Sequence, residues 1–133
     1  MPNDRVYNIE EANALLPWLR ERPKRAAEAA RLLEERQTVV RRLERRARGN
    51  GHHDVGGEIS AAELAAVEEM RKVRTIIGTV QARGVEVRDV GTGLVDFPGN
   101  RDGRKVWLCW RMGEPEVAYW HEEDVGFDAR KPL

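Results

Sequence analysis

Disulfide-stapled folds and multi-cysteine zinc frameworks are closed to this chain, because its 133 residues include a single cysteine, Cys109. It lacks an excess of either charge: 23 basic and 23 acidic residues cancel, so no global field draws it to nucleic acid or to a membrane surface. It also lacks any run near the roughly 20 apolar residues that cross a bilayer. The opening MPNDRVYNIEE has neither the basic nor the apolar block of a signal peptide. The expected location is cytoplasmic, with no membrane partner. Aromatic residues are scarce at 6%, yet three of the four tryptophans, both phenylalanines and the only cysteine fall between Gly84 and Phe127. A highly charged, helix-rich chain of this length builds one core, and that stretch is where it must be built.

What is present before Gly84 is helical. Asn8 and Glu11 form a capping box, and Ile9, Ala12, Leu16 and Leu19 follow at helical spacing. Pro17 and Pro23 predict a kink or a break between about 17 and 23, leaving open whether residues 9–48 are one kinked helix or two. The pattern resumes through Ala26, Ala29, Leu33, Val40, Leu43 and Ala47, and stops at Gly49, Asn50 and Gly51. A second capping box at Ser60 and Glu63 starts another arm, whose Ala66, Met70, Val73, Ile77 and Val80 make an alternating stripe before Gly84 ends it. Residues 8–83 therefore read as a helical hairpin with a flexible tip at 49–58. His52, His53 and Asp54 lie in that tip, where a loop gives no preorganised metal geometry; they read as solvated.

From Gly84 the period changes to two. VEVRD, LVDF, KVWLCWRM and EVAYWH are β-branched and aromatic runs separated by turn residues, so residues 84–127 predict an antiparallel meander of three to four strands, with 128–133 as a tail. A two-residue turn at Asp102 and Gly103 sets Asp96 opposite Cys109. A short loop at Gly113, Glu114 and Pro115 sets Cys109 opposite Tyr119 and His121 across from Trp107. In that register Val95, Phe97, Val106, Leu108, Trp110, Met112, Ala118 and Trp120 share one face with Val85 and Val87, while a one-residue slip would bury His121 and expel Trp120. The whole reads as a single α+β domain over residues 1–133, with the helical hairpin packed on the apolar face.

The opposite face carries Leu94, Asp96, Trp107, Cys109, Arg111, Val117, Tyr119 and His121. Leu94, Trp107, Val117 and Tyr119 predict an apolar interface patch, and a homodimer through this face or through the helical arms. The leading functional expectation is accordingly a small non-catalytic binding or self-association module. Asp96, Cys109 and His121, with Glu114 at the turn, form the second reading: a site for a divalent transition metal such as zinc, in a metal-binding protein or a metal-dependent enzyme. The same three residues also suit a thiol nucleophile, with His121 activating Cys109 and Asp96 orienting the imidazole. A third reading is nucleic-acid association through the first arm, where eleven basic residues face five acidic ones between Arg20 and Arg48. No aromatic or groove-reading motif interleaves with them, so mixed charge on a solvated helix accounts for the strip. Whether any reaction is catalysed, and on what small molecule, is not legible from these residues.

GLVDFP at Gly93 to Pro98, DGRKVWLCW at Asp102 to Trp110, MGEPEV at Met112 to Val117, YWH at Tyr119 to His121, and Gly126, Phe127 and Arg130 together resemble an uncharacterised bacterial family, domain of unknown function number two-two-zero-three. YNIEEANALLPWLR, from Tyr7 to Arg20, resembles the opening of that family. The resemblance implies that Asp96, Cys109, Trp110, Gly113, Glu114, Trp120, His121 and Gly126 are recurring positions, and it implies no reaction, substrate or cofactor. Where the family reads GFAGR, this chain has Asp128 and Ala129 in the middle, so a role needing glycine at 129 is not available to it.

Overall fold

In a computed structural model that describes residues 5–50 and 55–133, two long helices form a hairpin whose base packs on a five-stranded antiparallel sheet. The architecture is α+β. The helices are α1 (Ile9–Asn50) and α2 (Val55–Gln81), and the strands are β1 (Glu86–Asp89), β2 (Leu94–Arg101), β3 (Arg104–Arg111), β4 (Tyr119–Glu122) and β5 (Lys131–Pro132), side by side in chain order. His52, His53 and Asp54 lie outside the described residues. Among the described residues no helix is long and apolar enough to cross a membrane.

The start of α1 is set by the expected box: the Asn8 N–H donates to Glu11 Oε1 at 2.9 Å, and the Glu11 N–H donates to Asn8 Oδ1 at 2.7 Å. Of the two outcomes expected at 17–23, a break does not occur: residues 9–48 lie in one helix, and α1 is continuous through Pro17 and Pro23. Tertiary packing outweighs the lost backbone bonds there. Leu16 and Leu19 are buried against the sheet, and Pro23 is buried beside Gly93. The second helix also begins earlier than expected: Ser60 lies inside α2, which starts at Val55. It ends at Gly84, which adopts φ +82° and donates its N–H to Gln81 O at 2.8 Å.

In the sheet, Asp102 (φ +54°) and Gly103 (φ +80°) make the predicted two-residue turn, and the register follows: Asp96 faces Cys109, Cys109 faces Tyr119, and Trp107 faces His121. Pro98 does not disturb it. The β1 ladder reaches only Asp96, so no bond is missing at the proline, and its carbonyl accepts the Tyr7 N–H at 2.7 Å. Trp110 and Trp120 point inward together with Val95, Phe97, Val106 and Leu108, meeting Tyr7, Ala12, Leu16 and Leu19 from the start of the chain and Val80 and Val85 from the end of α2. The Tyr7 ring meets Phe97 edge-on, and its hydroxyl donates to Arg83 O at 2.6 Å.

Two expectations about the sheet are corrected. The meander over residues 84–127 has four strands, as expected, but residues 131–132 of the expected tail add a fifth by pairing with β4. Val117 leaves the outer face: residues 112–118 form a loop in place of an extension of β4, and this turns Val117 into the core, where its N–H donates to Asn13 Oδ1 at 2.7 Å.

Gly93 shows how closely the layers meet. It sits at φ +67°, and a Cβ there would lie 2.6 Å from Met112 Cβ and 3.2 Å from Pro23 Cβ. Gly93→Ala is expected to destabilise the fold by about 2 kcal/mol, from the backbone strain and the displaced side chains together. Chemical denaturation checks this; a change of under about 0.5 kcal/mol would remove Gly93 from the tight-packing account.

Candidate metal centre

Asp96 from β2, Cys109 from β3 and His121 from β4 are carried by three adjacent strands, on the face turned away from the helices. Their candidate ligand atoms all lie within 4.8 Å of one another, and all three residues are at most 2% exposed. Glu114 is not among them. Its carboxylate forks with Arg130, one arm at 3.1 Å, and Oε1 accepts the Arg111 N–H at 2.8 Å.

The hydrogen-bond accounting inside the group is unusual. His121 Nδ1 is 2.8 Å from Glu122 O, a carbonyl that can only accept, so Nδ1 carries a proton and donates it. The other ring nitrogen, Nε2, lies 3.0 Å from Asp96 Oδ2. With Nδ1 taken by the carbonyl, Nε2 is the ring nitrogen turned into the group and the one placed to ligate a cation. Asp96 Oδ2 also accepts from Arg88 Nε at 2.9 Å, while its Oδ1 is buried with no nitrogen or hydroxyl donor, and the Cys109 thiol is the polar group beside the carboxylate. A buried carboxylate oxygen without a partner is costly unless a proton or an ion completes it.

The surroundings hold Cys109 as a thiol. Burial pushes its pKa up to about 12, with the Asp96 carboxylate adding to the effect and the Arg130 guanidinium, 3.9 Å from Sγ, opposing it. His121 directs Nε2 at Asp96 rather than at the thiol. The arrangement therefore works against the activated-nucleophile reading, which needs a lowered thiol pKa. A bound divalent cation reverses that balance, since a coordinated thiol gives up its proton.

Two cationic partners were not legible in the sequence as members of the site. Arg88 falls where the β1 to β2 register shifts between Val87 and Asp89; this bulge re-aims its side chain at Asp96 and over the Trp107 ring, at 4.7 Å. No local sequence signal marks that bulge. Arg130 was visible only as a motif position; the 3₁₀ turn Phe127–Ala129 and β5 swing it across the outer face, stacked on Tyr119 at 4.0 Å and Phe127 at 4.1 Å. Leu94, Trp107 and Tyr119 remain on the outer face, half-buried, and Trp107 and Tyr119 lie under cationic side chains.

The Glu114 carboxyl would be raised by burial, but the Arg130 fork and the Arg111 N–H outweigh that and hold it below the usual carboxylate range. A lowered folded-state pKa stabilises above the unfolded value, and that stabilisation is lost as pH falls through the folded value. Glu114→Gln is therefore expected to cost about 2 kcal/mol at neutral pH and to flatten the acid limb of the stability curve below about pH 4.5. Denaturant midpoints across pH measure it, and an acid limb parallel to that of the unmodified chain would refute the assignment.

A cleft of about 350 Å³ opens over the three residues, walled by Arg88, Leu94, Glu123, Asp124, Val125 and Phe127. Fold and site together define an α+β protein: a helical hairpin on a small antiparallel sheet, with a buried aspartate, cysteine and histidine on the sheet's outer face. The chain matches the family described as "Uncharacterized conserved protein (DUF2203)" over residues 5–133, and it belongs to that family. No curated protein and no solved structure matches it.

Proposed function

We propose that the protein binds one divalent transition metal, of the zinc type, through Asp96, Cys109 and His121, and presents it to a ligand in the adjoining cleft. The observation that carries this reading is the convergence of ligand atoms of Asp96, Cys109 and His121 to within 4.8 Å of one another in a buried site, with His121 Nε2 turned inward 3.0 Å from Asp96 Oδ2. A cation among these atoms and Sγ satisfies all of them at once. The surroundings are those of a supporting shell: Glu122 O fixes the imidazole tautomer, and Arg88 orients the carboxylate. One sulfur, one nitrogen and one oxygen donor suit zinc, cobalt or iron(II) and disfavour magnesium or calcium.

Three protein ligands leave a coordination position unfilled, and the fourth candidate, Glu114, is engaged by Arg130. Open shells of this kind belong to sites that act on a bound molecule, whereas sites that only hold a fold close with four protein ligands. The apolar patch that favoured a self-association module has lost Val117 to the core, and Arg88, Lys105 and Arg130 lie over two of its rings. The metal reading therefore takes precedence over the sheet-face module.

The test is elemental analysis of the purified protein and titration of the chelator-treated protein with Co²⁺. One equivalent bound, with a thiolate-to-cobalt absorption band, is the expected result. Binding of less than about a tenth of an equivalent at micromolar free metal would end the proposal.

A further inference from the structure

The distal half of the hairpin is short of a third layer. From residues 31 to 49 of α1 and 56 to 70 of α2 no residue belongs to the hydrophobic core cluster, and only Leu43 and Glu69 are buried. Along α2 the seam toward α1 is Ala62, Ala66, Glu69, Val73, Ile76 and Val80, spaced four and three; most of it is only half-buried. Helices this exposed gain little stability from their own pairing, because tertiary burial of an amphipathic face supplies most of what holds a helix.

Glu69 breaks the apolar seam. It is 6% exposed, its Oε1 takes a 3.3 Å contact from Lys72, and its Oε2 is buried with no partner. Beside it the two helices leave a groove of about 390 Å³, lined on the α1 side by Arg25, Glu28, Ala29 and Leu32 and on the α2 side by Glu69, Thr75 and Ile76 with Arg71 and Lys72, which ion-pair with Glu68 and Glu69. A charged residue at one seam position costs stability and is a device for choosing a partner and a register.

The two arms also differ in sign. Residues 41–48 of α1 hold five arginines and one glutamate, whereas residues 56–70 of α2 hold four glutamates and no lysine or arginine. We infer that a second copy of this chain docks on the groove, its hairpin parallel to the first about a two-fold axis along the helices. Each α1 then lies between its own α2 and that of the other copy. Every neighbouring pair in the resulting four-helix bundle is antiparallel and pairs a basic arm with an acidic one. A two-fold along the helices keeps residues at their own height, so the second copy's α1 brings Arg25 and Arg31 to the height of the groove, where Glu69 turns its carboxylate out of the seam to meet a guanidinium. The inference is independent of the metal centre, which lies on the far face of the sheet.

The experiment uses the full chain, with and without metal. Sedimentation equilibrium is expected to give twice the 15.2 kDa chain mass, with dissociation strengthening as salt rises. Glu69→Gln, which keeps the side-chain shape, is expected to raise the dissociation constant about tenfold. A spin label on Arg48→Cys, at an exposed site near the tip while Cys109 is fully buried, is expected to report a separation of roughly 20–35 Å between copies, the diagonal of a bundle with helices about 10 Å apart plus the label arms. A monomer persisting to about 1 mM overturns the inference, as does a Glu69→Gln chain that dimerises unchanged. A label separation beyond about 60 Å, the mark of copies pointing in opposite directions, overturns it as well.

Discussion

Cys109→Ala is expected to lower metal affinity by more than a hundredfold and to erase the thiolate-to-cobalt band, while the fold survives. The substitution removes one buried sulfur beside an existing cleft and costs only about 1 kcal/mol of stability. Losing an orienting partner of a metal ligand already costs ten- to a hundredfold in affinity, and losing a ligand costs more. His121→Ala acts on the same equilibrium but also releases Asp96 Oδ2 and strips Glu122 O of its donor, so it combines loss of metal with loss of stability. The contrast between the two variants separates coordination from packing. If Cys109 is only a buried hydrophobe, Cys109→Ala leaves cobalt spectra and stoichiometry as they were. A second readout is thermodynamic: free metal at a hundred times its dissociation constant is expected to stabilise the native state by about 2.7 kcal/mol, and a chelator to remove that increment. Equal melting profiles with and without metal would speak against coordination by the folded state.

Trp110→Ala is expected to be the most destabilising single substitution, at about 4 kcal/mol, enough to unfold a large share of a marginally stable chain of this size. Trp110 is fully buried near the end of β3, opposite Val95, where sheet and helices meet. Its indole Nε1 donates to Glu114 O at 2.9 Å, so the ring also pins the loop whose carboxylate holds Arg130. Truncation leaves a cavity of indole size and an unmatched carbonyl together. Trp110→Phe is expected to recover about half of the loss by refilling the cavity without restoring the bond. Equilibrium denaturation of both variants measures the partition, and a Trp110→Ala cost under about 1.5 kcal/mol would place the core elsewhere.

Much of this architecture could be read from the residues in order. The Asn8 and Glu11 box, the two long arms, and the stop at Gly84 are local chemistry, set within one or two turns of helix. The Asp102 and Gly103 turn is local as well, and because side chains alternate strictly along a strand, that turn fixes which face Asp96 and Cys109 share. The apolar pattern then placed Trp120 inside and His121 outside. The proximity of Asp96, Cys109 and His121 follows from period and turn length alone.

The rest required groups far apart in the chain to meet. Pro17 and Pro23 argue locally for a break, and only burial against the sheet keeps α1 whole. Val117 alternates outward on paper and turns inward because Asn13, 104 residues earlier, takes its N–H. Arg88 reaches Asp96 through a bulge that has no signature, and Arg130 crosses the sheet because a two-residue strand at the end of the chain finds β4. What the sequence settled by itself is which side chains share a face, since backbone geometry repeats every two or every 3.6 residues whatever lies around it. What the tertiary structure alone decided is which of those side chains are left without a partner, since burial and hydrogen-bond satisfaction depend on elements that only folding brings together.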